Sequence, residues 1–187
     1  MYKSISLTIE GAVPLLMHNG SMADPLNQFP REIKKISGKR DKTEADHEEI
    51  GRLEFLGSLW LSGGAPCIPG EAIEAAIVAG AKKKKRGNQA KAGIICPDMY
   101  PLIYDGPRDP LELWADERFR LRVGAKVGQA RIMRTRPRFD NWKCNIKIEF
   151  MPSLLNESEV RDIAETVGLI IGIGDWRPRF GRFLLTK

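Results

Sequence analysis

The feature that most constrains the fold is the run from Trp142 to Phe150, in which Trp142, Cys144, Ile146, Ile148 and Phe150 alternate strictly with Lys143, Asn145, Lys147 and Glu149. A period of two places the apolar side chains on one side of an extended strand and the polar ones on the other. Residues 3 to 10 repeat the pattern, with Lys3, Ile5, Leu7 and Ile9 on one face and Ser4, Ser6, Thr8 and Glu10 on the other. Two half-buried strands at opposite ends of the chain point to an antiparallel sheet whose apolar face must be covered by helices.

The covering helices can be read from spacing and caps. Ile50, Leu53, Leu56 and Trp60 recur at helical intervals after Thr43, and Glu44, Asp46, Glu48 and Glu49 suit the first turns. A second helix is expected to open after Pro69-Gly70 on the stripe Ile73, Ala76, Ile77 and Gly80, run to about Arg86 and stop at Gly87. A third has the clearest bounds: Asn156 caps it with Glu159 three residues on, and Val160, Ile163, Ala164, Val167 and Ile171 form its core stripe. It ends at Gly172-Ile173-Gly174, and residues 180 to 186 read as the closing strand.

Residues 20 to 42 read as an insertion, a cationic loop carrying one short helix around 29 to 36. Pro97 and Pro101 break residues 93 to 104 into short extended pieces and argue against a central strand there. Residues 118 to 127 and 130 to 138 are strand-like, and Asp140-Asn141 supplies a turn that makes 130 to 150 a hairpin. The expectation is one domain over residues 1 to 187, α+β in class, an antiparallel sheet with helices on one face and insertions.

Composition removes several function classes. The three cysteines, Cys67, Cys96 and Cys144, form no C-x-x-C pair and are read as reduced core thiols, and the two histidines, His18 and His47, make no metal-ligand pattern. No cofactor, metal or catalytic group is expected. No apolar run approaches the roughly 20 residues of a bilayer span, and the first residues alternate rather than form a leader, so a cytoplasmic protein without membrane contact is expected.

The net charge of +6 favours a polyanionic partner. Three basic groups are candidates for phosphate contact. The first is Lys82, Lys83, Lys84, Lys85 and Arg86, more cations than a helix C-terminus needs to offset its dipole. The second is Arg131, Arg134, Arg136 and Arg138; on a strand the last three share a face about 7 Å apart, and an unpaired row of like charge asks for an anion. The third is the loop around Gly172, Gly174, Trp176, Arg177, Arg179 and Arg182, where glycines admit close backbone approach, arginines supply charge and the indole offers a stacking face. It is no dinucleotide fingerprint, because it follows a helix and precedes a strand.

The first strand with its turn (SLTIEGAVPLLM), the segment PCIPGEAI opening a helix, and the loop GIGDWRPRFGRF before the last strand together resemble the RAMP superfamily of CRISPR-associated proteins. The likeness is greatest to the backbone subunits that coat guide RNA, a stand-alone or phage-encoded relative included. It implies a ferredoxin-like, RRM-like fold, single-stranded RNA or DNA held across a palm, and repeated subunits forming a homo-oligomer or filament on the strand. Some RAMP relatives cut RNA, so the alternative is an endoribonuclease using His18, beside Asn19 at the end of the first strand, or an aspartate of the insertion, Asp24 or Asp41. The leading expectation is a non-catalytic strand-coating protein. A third class, a protein whose basic face meets an acidic partner, fits the charge but leaves the glycine-arginine loop without a purpose.

Overall fold

A computed structural model describes residues 1–186, with the backbone alone of Val127 and Ala130. In chain order the elements begin with strands β1 (Lys3–Gly11) and β2 (Leu15–Leu16), then helices α1 (Gln28–Ser37) and α2 (Glu44–Ser58). Strands β3 (Leu61–Ser62) and β4 (Ala65–Pro69) lead to helices α3 (Gly70–Lys83) and α4 (Gly87–Gly93) and strands β5 (Ile94–Ile95) and β6 (Met99–Ile103). Helix α5 (Pro110–Ala115), strands β7 (Arg120–Val127), β8 (Ala130–Phe139) and β9 (Lys143–Phe150), helix α6 (Glu157–Thr166) and strand β10 (Phe183–Thr186) complete the chain. These elements gather into two compact units: a sheet unit of residues 1–16, 61–105 and 139–187, and a helical unit of residues 17–60 and 106–138.

The sheet unit has the strand order β10-β1-β9-β6-β4-β3, with β5 pairing with the far end of β9. Its first four strands are antiparallel neighbours. With α3 preceding β6 and α6 preceding β10, that is the ferredoxin-like order the resemblance implies. Ile5, Leu7 and Ile9 of β1 and Cys144, Ile146, Ile148 and Phe150 of β9 are all buried, as are Ile73, Ala76 and Ile77 of α3 and Val160, Ile163 and Ala164 of α6. Asn156 and Glu159 form the expected capping box on α6, which runs on into a wider turn over Val167–Ile171.

Three local expectations are corrected. Residues 130 to 150 are not a hairpin: β8 pairs with β7 from Arg120↔Pro137 onward, while β9 pairs with β1 from Lys3↔Phe150 to Glu10↔Lys143. The physical reason is burial, since the five apolar residues of the 142–150 run belong in the core beside β1, and arginine-rich β8 has no such face to offer. Pro101 does sit in an interior strand, because the pairing of β6 with β9 starts only at Leu102 and asks nothing of the proline nitrogen. Gly87 does not stop α3. Lys85 takes the left-handed conformation at φ 58°, the Arg86 N–H donates back to the Ala81 carbonyl at 2.8 Å, and Gly87 instead opens α4.

The helical unit comprises two excursions from the sheet unit, one between β2 and β3 and one between β6 and β9. The insertion expected at 20 to 42 is therefore longer, since it includes α2. Thr43 caps α2 in a capping box with Asp46, whose carboxyl is lowered to about 2 first by the hydrogen bond from Lys39 and then by the Thr43 backbone N–H. Leu53, Phe55, Leu113 and Phe119 are buried, and Phe55 meets Trp114 edge-on at 5.5 Å. Among the described residues no helix is long and apolar enough to cross a membrane.

Candidate nucleic-acid interface

The β7–β8 hairpin sets the site. Its register places Arg122 opposite Thr135 and Lys126 opposite Arg131, so even-numbered residues of β7 share a face with odd-numbered residues of β8. Like charges directly across a ladder are unfavourable unless an anion answers them. Arg122, Lys126 and Arg131 have no ion-pair partner among the described residues. Arg120 on the same face is committed, with its guanidinium 4.4 Å from the Trp114 ring centre and 3.2 Å from Glu117.

Beside this hairpin, within the helical unit, lies a cleft of about 730 Å³. Helix α1 contributes Lys34, the following loop Lys42, and the hairpin Arg122, Arg131, Arg134 and Arg136, against the single carboxylate of Glu54. His18 and His47 line it too. Ile132 and Met133, both well exposed, add apolar surface among the cations. Such a concavity attracts phosphate by charge and offers apolar wall to whatever the phosphates carry.

The row Arg134, Arg136 and Arg138 is not the open, unpaired ladder its spacing suggested. Glu54, only 3% exposed, accepts a hydrogen bond from Arg134 Nη1 and another from the Thr135 N–H at 2.9 Å. Arg136 is 8% exposed and its Nη1 donates to the Thr135 carbonyl, and Arg138 is half-buried. Arg134 thus reaches the cleft while holding the hairpin to α2 through Glu54, so removing it takes away a buried bond as well as charge. His18 Nδ1 lies 3.4 Å from Ser58 Oγ. Asn19 is structural: its side chain accepts from the Ser21 N–H and donates to the Leu59 carbonyl.

The other two groups lie on the sheet unit. In the lysine run, Lys84 pairs with Asp162 and Arg86 with Glu159 of α6 at 2.6 Å, while Lys82, Lys83 and Lys85 are exposed without an ion pair among the described residues. The glycine-arginine loop closes on its own backbone: Ile173 N–H donates to Gly181, Gly181 N–H to Pro14, and Asp175 N–H to Leu16. A Cβ on Gly174 would meet the Leu16 carbonyl oxygen at 2.3 Å, and one on Gly181 the Ile173 oxygen at 1.7 Å. These glycines admit protein backbone, so a side chain there would break the turn. Arg177, Arg179 and Arg182 are exposed at its rim, and half-buried Trp176 rests 6.2 Å from Phe180 at φ 49°.

Lys34, Lys42, His47 and Arg122 line the cleft but belong to none of the three basic groups legible in the sequence. The signal was there: in RLRVGAK, Arg120, Arg122 and Lys126 fall at even spacing on a strand. No group of three or more His, Cys, Asp or Glu among the described residues could hold a metal. Models of known families give no match to this sequence, and no curated protein is significantly similar to it.

Proposed function

We propose that the protein binds single-stranded nucleic acid by its phosphates in the cleft of the helical unit. The observation that carries this reading is the balance of charge there, six cationic side chains against one carboxylate. A concavity of about 730 Å³ suits a few nucleotides of a flexible strand, whereas a duplex is a rigid cylinder some 20 Å across. A short site on a long polymer leads to many copies side by side, so the protein coats RNA or DNA as repeated subunits. The resemblance to RAMP backbone subunits supports the same reading, and Arg177, Arg179 and Arg182 with the exposed Lys82, Lys83 and Lys85 are separate candidates for phosphate contact on the sheet unit.

The test is equilibrium binding to labelled single-stranded RNA, single-stranded DNA and blunt duplex across a salt series. Tighter binding of single strands with a steep loss on adding salt is expected, and complexes that lengthen with the oligonucleotide should appear in light scattering. Equal affinity for duplex, or no salt dependence, contradicts the reading.

One observation favours a second reading. His18 and His47 line the same cleft, which supplies the two groups that metal-free RNA cleavage requires, a base for the 2′-hydroxyl and an acid for the leaving oxygen. Labelled RNA cut by wild type and spared by both His18→Ala and His47→Ala would establish it. Intact RNA leaves the binding reading alone.

A further inference from the structure

A second cavity of the helical unit, about 760 Å³, shares His47, Gly51, Arg122 and Thr135 with the cationic cleft. The two are therefore consecutive stretches of one trough with different chemistry. The cleft is cationic and partly apolar. The second cavity holds the Trp114–Arg120 stack and three carboxylates, Glu44, Glu48 and Glu117. Glu117 is tied to Arg120, whereas Glu44 and Glu48 have no ion-pair partner among the described residues. Carboxylates repel phosphate, so this end of the trough is not a continuation of the phosphate track.

Resting on the strand-binding reading above, we infer that the second cavity takes one nucleobase of the bound strand, and that it selects guanine. A phosphate held at Arg122, on the shared wall, leaves its base free to turn toward Trp114 and Arg120. The indole already carries the Arg120 guanidinium on its face, and the outer plane of a guanidinium is itself a surface on which bases stack. The floor is open because position 51 is glycine: a Cβ there would stand 3.0 Å from Thr135 Oγ1 and 3.8 Å from the Trp114 ring. A carboxylate only accepts hydrogen bonds, and it accepts two in parallel. Guanine alone among the common bases presents two adjacent N–H donors, N1–H and the 2-amino group, on its pairing edge. Adenine and cytosine offer one donor beside an acceptor, which a carboxylate repels.

The experiment compares binding of labelled octa-adenylate with the same RNA carrying one central guanine. Wild type is expected to bind the guanine-containing strand about 10- to 100-fold more tightly, as a good bidentate contact allows. Glu44→Gln/Glu48→Gln, a change on the exposed side of α2, should erase that preference while holding octa-adenylate as well as before or better. Arg120→Lys, which keeps the charge and loses the plane, should reduce the preference. Equal binding of the two strands by wild type, or a preference that survives the double glutamine variant, overturns the guanine site and leaves strand binding standing. Failure to bind either strand overturns strand binding itself, and this inference with it.

Discussion

Two antiparallel pairs in this protein treat charge in opposite ways. On the polar side of the β1–β9 pair, Glu10 faces Lys143 at 3.0 Å, Thr8 Oγ1 donates to Asn145, and Lys147 holds Glu149 at 2.7 Å, so each charge of β9 is met by a neighbour of opposite sign. On the β7–β8 pair, Lys126 faces Arg131 and Arg122 lies on the same face beyond the Gly124–Met133 pair, with no carboxylate paired to any of the three among the described residues. Exposed pairs like those on β1–β9 contribute little energy but leave the surface neutral. A like-charged pair directly across strands costs stability unless an anion offsets it, and that is the difference between the two surfaces. The residues of β1 and β9 on that sheet face also include no aromatic ring on which a base could stack.

The comparison can be broken most severely by reversing charge. Arg122→Glu/Arg131→Glu should lower affinity for single-stranded RNA by about 100-fold or more at low salt, and Lys143→Glu/Lys147→Glu by only a few-fold, as measured by fluorescence anisotropy. Equal losses from the two pairs would dissolve the distinction between the surfaces. The next largest effect is on stability. Glu54→Ala leaves Arg134 and the Thr135 N–H without their buried acceptor and should cost about 3 kcal/mol in urea unfolding, while Glu10→Ala, in an exposed pair, should change stability by about 0.5 kcal/mol or less.

Burial also sharpens the contrast through pH. Desolvation raises Cys67 to about 11, Cys96 to about 12 and Cys144 to about 12, against an ordinary value of 9.0 in the unfolded chain. Above pH 9 the unfolded chain releases these protons first, so stability is intact below pH 9 and declines as pH rises toward 11. In the native protein at pH 8 all three thiols, buried and protonated, should react with iodoacetamide far more slowly than in denaturant. A small effect of opposite sign is expected at the lysine run: Lys85→Gly relieves a left-handed residue and should add about 0.5–1 kcal/mol.

The sheet unit was the legible part of the sequence. Alternation in 3–10 and 142–150 and the Asn156–Glu159 cap each encode one buried face or one satisfied end, whereas the strand order rested on the resemblance alone. Pairing partners were harder to read, because β8 carries Asp140-Asn141 at one end and Gly128-Gln129 at the other, and both are turn-forming. Only the demand of β9 for a core position beside β1 decides between them. The arginine row was seen, but not the buried Glu54 that engages Arg134, since a glutamate inside a helix looks like any solvated glutamate until the hairpin arrives against it. Glycines in such a loop read as openings toward a ligand, whereas Gly174 and Gly181 accommodate backbone carbonyls brought there by the fold.

The most direct measurement is the dependence of binding on salt for wild type and Arg122→Ala/Arg131→Ala on the same single-stranded RNA. Each phosphate contact adds about 0.7 to the slope of log affinity against log salt. Loss of two contacts should make the slope shallower by roughly 1.4 with the protein still folded. An unchanged slope and affinity in the folded double variant would show that the hairpin cations face only solvent, and would contradict the account.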